Sequence, residues 1–159
     1  MPLHPALRDL AFLLGRWEGE GEGGYPTVQP FRYREELCFG HDGRPFLHYR
    51  QRSWSAEDGR PMHVEAGYLR PGQPGAVELV VAHPSGVVEL SEGRRTGTEL
   101  ELRSRAVACA STAKDVSAIA RRLSVEGDRL RTTLDMAAVG LPDTPHLRST
   151  LHRAAPAPA

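Results

Sequence analysis

The feature that most constrains the fold is a run of glycines at alternate positions near the N-terminus, GRWEGEGEGGYPTV, residues 15–28. Side chains in an extended strand alternate between two faces. One face therefore carries Trp17 and the glycines, and the other carries Glu18, Glu20 and Glu22. A phosphate-binding loop needs a preceding strand and usually a lysine, and neither is present. A linker is disfavoured because Trp17 should be buried. The run predicts a strand whose glycine face lets another backbone or a flat ligand approach, and which helps to open a barrel interior.

The rest of the chain shows the same two-residue periodicity in short segments. In AVELVVAH (residues 76–83), Val77, Leu79, Val81 and His83 share one face. The segments at residues 98–107 and 128–136 alternate in the same way, and Gly- and Pro-rich turns separate such segments. Many short strands without interleaved helices predict an all-β antiparallel meander. Closure into a barrel is the simplest way for a meander to avoid exposed edges.

Two segments depart from this periodicity. The first, LHPALRDLAFLLG, has helical spacing and predicts a short amphipathic helix over about residues 5–14. Pro5 fits its first turn, and Gly15 could end it. The second, residues 110–123, is ambiguous, because it could open with a helical turn before its strand.

Composition limits the functional classes. The length of 159 residues predicts one domain, residues 1–153, followed by a disordered tail, 154–159. Twenty basic and twenty acidic residues cancel, which predicts no nucleic-acid or membrane partner. Cys38 and Cys109 have no zinc-site or disulfide spacing and suit a reducing compartment. We find no signal-peptide pattern or spanning segment in the sequence, and we expect a cytoplasmic protein.

The glycine run resembles the GxWxGxG signature of the nitrobindin family, followed by that family's Tyr-Pro-Thr step at residues 25–27. Further matches run in order along the chain. They are FRYREEL (31–37), PMHVEAGYLRP (61–71), GVVEL (86–90), ASTAKDV (110–116) and PHLRSTL (145–151). The resemblance covers nearly everything from the N-terminal helix to Leu151, and the ordered set is far more specific than the glycine signature alone.

This resemblance implies a roughly ten-stranded up-and-down barrel, similar to fatty-acid-binding proteins, with one b-type haem at its mouth. It implies mostly ferric iron, conversion of peroxynitrite into nitrate, and nitric oxide binding. The axial iron ligand and catalytic residue of the family corresponds to His146. The other positions implied in haem binding or in lining the haem cavity are Thr27, Lys114, His63, Met136 and His83. His83 stands where a plant relative would carry glutamine.

The residues alone leave these roles open. The seven histidines form no HxH or HExxH spacing, and a haem needs only one protein nitrogen, so spacing cannot reveal His146. Lys114, the only lysine, is either a solvated loop charge or a cation near a haem propionate. Thr27 is either a turn residue or a hydroxyl beside the haem. The residues His63, His83 and Met136 could equally be structural.

Two other functions remain open at the level of sequence. A closed apolar barrel could carry a lipid or another small apolar ligand. Fatty-acid carriers usually bind a carboxylate with interior arginines, whereas most arginines here have outward parity. A haem protein could also sense nitric oxide or haem without turnover. The sequence leaves the oligomeric state open between a monomer and a homodimer.

Overall fold

The computed structural model describes residues 1–155, which form a 3₁₀ helix followed by a closed barrel of ten antiparallel strands. The helix spans Pro5–Leu13. The strands are β1 Gly15–Tyr25, β2 Val28–Gly40, β3 Leu47–Ser55, β4 Pro61–Pro71, β5 Ala76–His83, β6 Val87–Thr96, β7 Glu99–Cys109, β8 Val116–Glu126, β9 Arg129–Ala138 and β10 Thr144–Arg153. Each strand pairs with its sequence neighbours, and β1 pairs with β10 to close the barrel. The predicted up-and-down barrel is confirmed, and the ambiguous segment forms a turn followed by β8.

The N-terminal helix closes one end of the barrel. Its buried side chains are Leu7, Leu10 and Leu13, each three residues apart. This spacing suits a 3₁₀ helix, which has three residues per turn. α-Helical spacing would instead place Leu14 on the same face as Leu7 and Leu10, but Leu14 is only partly buried. The three leucines join the apolar core, and the Trp17 indole N–H donates to the Leu13 carbonyl oxygen at 2.8 Å.

The glycine face of β1 is occupied by its neighbours. Trp17 is fully buried, and the three glutamates of β1 are exposed, as the parity predicted. A Cβ atom on Gly19 would collide with the β10 backbone, only 2.9 Å from the Leu151 Cα. A Cβ on Gly21 would lie 2.6 Å from the Tyr33 hydroxyl oxygen, and one on Gly23 would lie 2.7 Å from the Phe31 ring. The expected close approach of another backbone is confirmed. The expectation that these glycines themselves open the interior is wrong, because rings from β2 fill their space.

Strand β10 ends at Arg153, and the Ala154 backbone N–H donates to the Arg16 carbonyl oxygen at 2.8 Å. The rest of the predicted disordered tail, apart from Ala155, lies outside the described residues. Both cysteines are unpaired thiols. None of the helices within residues 1–155 is long and apolar enough to cross a membrane.

Candidate cofactor site

The barrel interior holds a cavity of about 490 Å³ at the end opposite the helix. This volume lies within the roughly 300–1,000 Å³ of typical ligand pockets. The apolar part of its lining includes Val28, Phe31, Val116, Ile119, Leu134 and Met136. A second depression, of about 740 Å³, also includes His146 and draws on exposed residues such as Arg32 and Arg60. We identify the interior cavity as the site, because it lies inside the barrel and gathers apolar side chains from several strands.

His146 reaches the cavity through an irregularity in β10. The pairing of β10 with β9 shifts register between Pro145 and Leu147, with His146 between them. Such a bulge redirects a side chain that regular alternation would place elsewhere. Tyr25 and Phe31 flank the imidazole edge-on, with ring centroids 5.6 Å and 6.4 Å away. The half-buried ring is therefore held from several sides.

One nitrogen of His146 is occupied, and the other is available. Nδ1 lies 2.9 Å from the Gly24 carbonyl oxygen, which can only accept, so Nδ1 carries the proton. Burial lowers the pKa of His146, although the hydrogen bond to Gly24 opposes this. The neutral ring then presents an unprotonated Nε2, which makes no hydrogen bond to any residue within 1–155. A backbone carbonyl holding the N–H of a metal-ligating histidine is the usual second-shell arrangement. Gly24 belongs to the glycine run at residues 15–28.

The structure brings most of the other predicted site residues to the same cavity. Its lining includes His63 from β4, His83 from β5, Lys114 from the loop before β8, and Met136 from β9. Thr27 lies in the exposed turn between β1 and β2 and does not line the cavity, although the next residue does. Spacing along the chain could not have assembled these four residues with His146, because the five come from five separate segments.

Comparison with known proteins assigns the family. Residues 6–153 match the family described as THAP4-like, heme-binding beta-barrel domain. The chain belongs to this family. Proteins named peroxynitrite isomerase in Nocardia farcinica and peroxynitrite isomerase 2 in Mycobacterium avium are 52% and 48% identical to it. Each alignment covers 95% of this chain, and they cover 92% and 96% of those relatives.

The crystal structure of Rv2717c from M. tuberculosis has the same fold. It superposes with a TM-score of 0.93 at 48% identity, over 97% of this chain and 100% of that one.

The residues of this heme-binding barrel fit a haem. The site offers the Nε2 atom of His146, a cavity with an apolar wall, and the exposed Lys114 at its edge. A haem needs one axial nitrogen, apolar contacts for the macrocycle and a cation for a propionate. The donor set matches these requirements.

Glu65, which lines the cavity, belongs to a group that sequence reasoning missed, which we call the buried charge cluster: Tyr49, Glu65, Glu89 and Arg121. The Arg121 guanidinium donates to Glu65 at 3.0 Å and 3.2 Å, and to Glu89 at 2.7 Å and 3.0 Å. The Tyr49 hydroxyl donates to Glu65 at 2.6 Å. Strand parity held the missing signal, because Arg121 alternates inward with Ile119 and Leu123.

The cluster holds its carboxylates in the charged form. Burial alone would raise the pKa of Glu65, but the Arg121 guanidinium and a hydrogen bond from His63 hold it well below its usual range. Burial also opposes ionisation of Glu89, and Arg121 and His83 lower that pKa to about 2. Both acids are therefore ionised at neutral pH, and the cluster carries two negative charges against one positive.

A third buried acid behaves in the opposite way. Glu35 accepts a hydrogen bond from the Gln51 amide at 3.1 Å, and its Oε2 has no partner among the described residues. Burial raises the pKa of Glu35, because no cation reaches it closely enough to compensate. The barrel therefore contains both a charged cluster around Arg121 and a carboxyl whose pKa burial raises.

Proposed function

We propose that this chain is a peroxynitrite isomerase that holds one haem b through His146 and converts peroxynitrite into nitrate. The observation that carries the proposal is the state of His146: Nδ1–H is bound to the Gly24 carbonyl oxygen, and Nε2 is left free at an apolar cavity. The names of the relatives supply the reaction. Isomerisation conserves atoms and electrons, so it needs no second cofactor.

The protein's part in this reaction is to hold the haem and to orient the His146 ring that binds it. Gly24 fixes the His146 tautomer, and Tyr25 and Phe31 limit rotation of its ring. The Tyr25 hydroxyl donates to the Met136 carbonyl oxygen at 3.0 Å and accepts from the Ala138 N–H at 3.1 Å, which anchors this wall to β9. When bound, haem supplies a Lewis-acidic ferric iron that polarises a coordinated anion. The apolar wall excludes water and keeps the reacting fragments together.

The remaining predicted residues have supporting roles in this proposal. Lys114 provides a positive charge at the edge of the cavity for a propionate or for the arriving anion. Met136 forms part of the apolar wall, while His63 and His83 form part of the polar wall. The Thr27 hydroxyl contacts the haem only at the outer mouth, since its turn is exposed. Nitric oxide binding at the same iron is part of the proposal.

Two alternatives predict different behaviour. A fatty-acid carrier needs an interior arginine with free donors, but the guanidinium of Arg121 is already engaged by Glu65 and Glu89. This observation disfavours the carrier. A nitric oxide or haem sensor would use the same His146 without turnover, so only kinetics separates it from an isomerase.

The test compares His146→Ala and His146→Gly with His152→Ala, an exposed histidine six residues away on the same strand. We expect the two His146 variants to lose the ferric Soret band and the acceleration of peroxynitrite decay. Free imidazole should restore the band to His146→Gly, because that variant leaves room for the missing ring. His152→Ala should keep both properties. A His146→Ala protein with the normal spectrum and decay rate would refute the assignment. Normal haem binding with decay no faster than that of free haem would favour the sensor.

The proposal also includes a cytoplasmic location, and it keeps a homodimer open beside a monomer. The two unpaired cysteines suit a reducing compartment. Fractionation of the native cells, and light scattering of the haem-loaded protein, test these two expectations.

A further inference from the structure

Three potential metal ligands converge at the inner side of the cavity. His63 Nε2 and His83 Nδ1 lie 3.2 Å apart. Glu65 Oε1 lies 3.5 Å from the first nitrogen and 3.6 Å from the second. The three atoms form a nearly equilateral triangle, built by two neighbouring antiparallel strands, β4 and β5.

This triangle has the size that a tetrahedral metal ion requires. Zinc binds imidazole nitrogen and carboxylate oxygen at about 2.0–2.1 Å, which sets neighbouring ligands about 3.3–3.4 Å apart. The observed separations of 3.2–3.6 Å surround that value. Two imidazoles with one carboxylate form a common catalytic donor set, in which the fourth position stays open.

The atoms behind the triangle are arranged as an outer shell. His83 Nε2 lies 3.3 Å from Glu89 Oε2, which directs Nδ1 toward the triangle. The Oε2 atom of Glu65 is held by the Tyr49 hydroxyl at 2.6 Å and by Arg121 at 3.0 Å, and Arg121 also donates to Oε1, the ligand atom, at 3.2 Å. Carboxylate–histidine–metal units use the same arrangement to orient their ligands.

The charge balance also favours a cation at this point. Glu65 and Glu89 together carry one negative charge more than Arg121 neutralises. An uncompensated charge is costly in a buried site. Glu65 faces the cavity together with the two histidines, so a cation bound there would lie next to this excess negative charge.

We propose that His63, His83 and Glu65 form a binding site for a divalent transition metal ion, with zinc as the best match, separate from the haem iron. The site goes beyond the proposed haem function, because none of its ligands is His146. The alternative is a plain hydrogen bond between the two rings, with a proton supplying the missing positive charge.

The test uses haem-loaded protein, so that the iron occupies His146 and zinc cannot bind there. The protein is stripped with a chelating resin and titrated with Zn²⁺ against a chromogenic chelator. We expect one zinc per chain beyond the haem iron. The zinc X-ray absorption spectrum should show two imidazole nitrogens. This spectrum decides the proposal on the unaltered protein even if a variant fails to fold.

His63→Gln and His83→Gln should each raise the Kd for Zn²⁺. The increase should exceed the roughly 10–100-fold loss of affinity that follows removal of an outer-shell partner. His48→Gln and His152→Gln, which alter exposed histidines outside the cluster, should leave it unchanged. If zinc binds all four variants equally, or if its spectrum shows fewer than two imidazoles, the bound zinc is adventitious. Either result overturns the proposal. So does the absence of stoichiometric zinc from the unaltered protein. The Soret band, followed in the same samples, reports the haem separately.

Discussion

Glu35 and Glu36 are neighbours in sequence with opposite electrostatic environments. Glu35 points into the barrel, where burial raises its pKa. Glu36 points outward, and although partial burial would raise its pKa, hydrogen bonds and charge from Arg52 lower it. The Arg52 guanidinium donates to Glu36 at 2.5 Å and 3.1 Å. Because inward and outward positions alternate along β2, ionisation of these two adjacent carboxyls has opposite effects on the stability of the fold.

This contrast predicts opposite pH dependences. A raised native pKa means that ionised Glu35 destabilises the fold above that pKa, and the cost disappears as pH falls toward the ordinary value of 4.5. Glu35→Gln should therefore raise the free energy of unfolding more at pH 8 than at pH 4.5. Glu36→Gln should lower it at pH 8, and this loss should shrink as pH falls below the ordinary value of 4.5 and vanish only below the lowered native pKa. Urea unfolding at several pH values measures both. The same pH trend in both variants would contradict the assignment.

At the scale of elements, β1 depends on glycine because its neighbours occupy the space of a side chain. The β10 backbone lies against Gly19, and the aromatic rings of β2 cover Gly21 and Gly23. The covering ring of Phe31 also flanks His146. The glycine run therefore contributes to the site indirectly, by setting the positions of the rings and of the Gly24 carbonyl oxygen.

Gly19→Ala should destabilise the barrel by about 1–3 kcal/mol, the usual cost of overpacking a well-packed site. Backbone atoms of Thr150 and Leu151 stand in the way, and they cannot rotate aside as a side chain can. The control is Gly40→Ala at the end of β2, where an added Cβ meets nothing within 4 Å. Chemical denaturation measures both variants. Equal losses in the two would mean that general strand propensity, and not contact with β10, decides the effect.

At the scale of the whole molecule, the barrel has three layers. The helix and an apolar core fill one end, the buried charge cluster crosses the middle, and the cavity occupies the other end. The cluster ties β3, β4, β6 and β8 together through Arg121. The cluster is therefore a cross-brace that links β8 to β6 and to the β3–β4 pair, none of which is adjacent to β8.

Arg121→Met should cost about 3–5 kcal/mol, because it leaves two buried carboxylates without their cation. The matched control is the next residue, Arg122→Met. The Arg122 side chain is exposed and pairs with Glu99 and Glu101 on the outer surface, so we expect little change. Urea unfolding of both variants, followed by the intrinsic tryptophan signal, provides the comparison. Comparable losses at the two positions would show that Arg121 does not act as a brace.

Strand periodicity predicted the architecture well because inward and outward positions alternate along each strand, a property local to the chain. The position of the helix was predicted correctly. Its buried residues differ from those of an α-helix, with Leu13 buried in place of Leu14, because the helix packs against the barrel end with 3₁₀ spacing. Strand parity also predicted the inward direction of His83 and of Met136. The role of His146 was inferred only from family resemblance, because a bulge redirects the side chain, and two-residue alternation does not reveal a bulge.

The buried charge cluster could not be predicted from the sequence alone. An isolated Glu or Arg in a strand is usually solvated. Here the contacts of Arg121 with Glu65 and Glu89 offset the desolvation cost of burying the three charged side chains. Those partners lie 56 and 32 residues away. The sequence by itself determined a closed antiparallel barrel with a glycine-faced first strand, because alternation is local. The tertiary structure alone decided which charges meet inside it, since barrel closure sets the distances between non-adjacent strands.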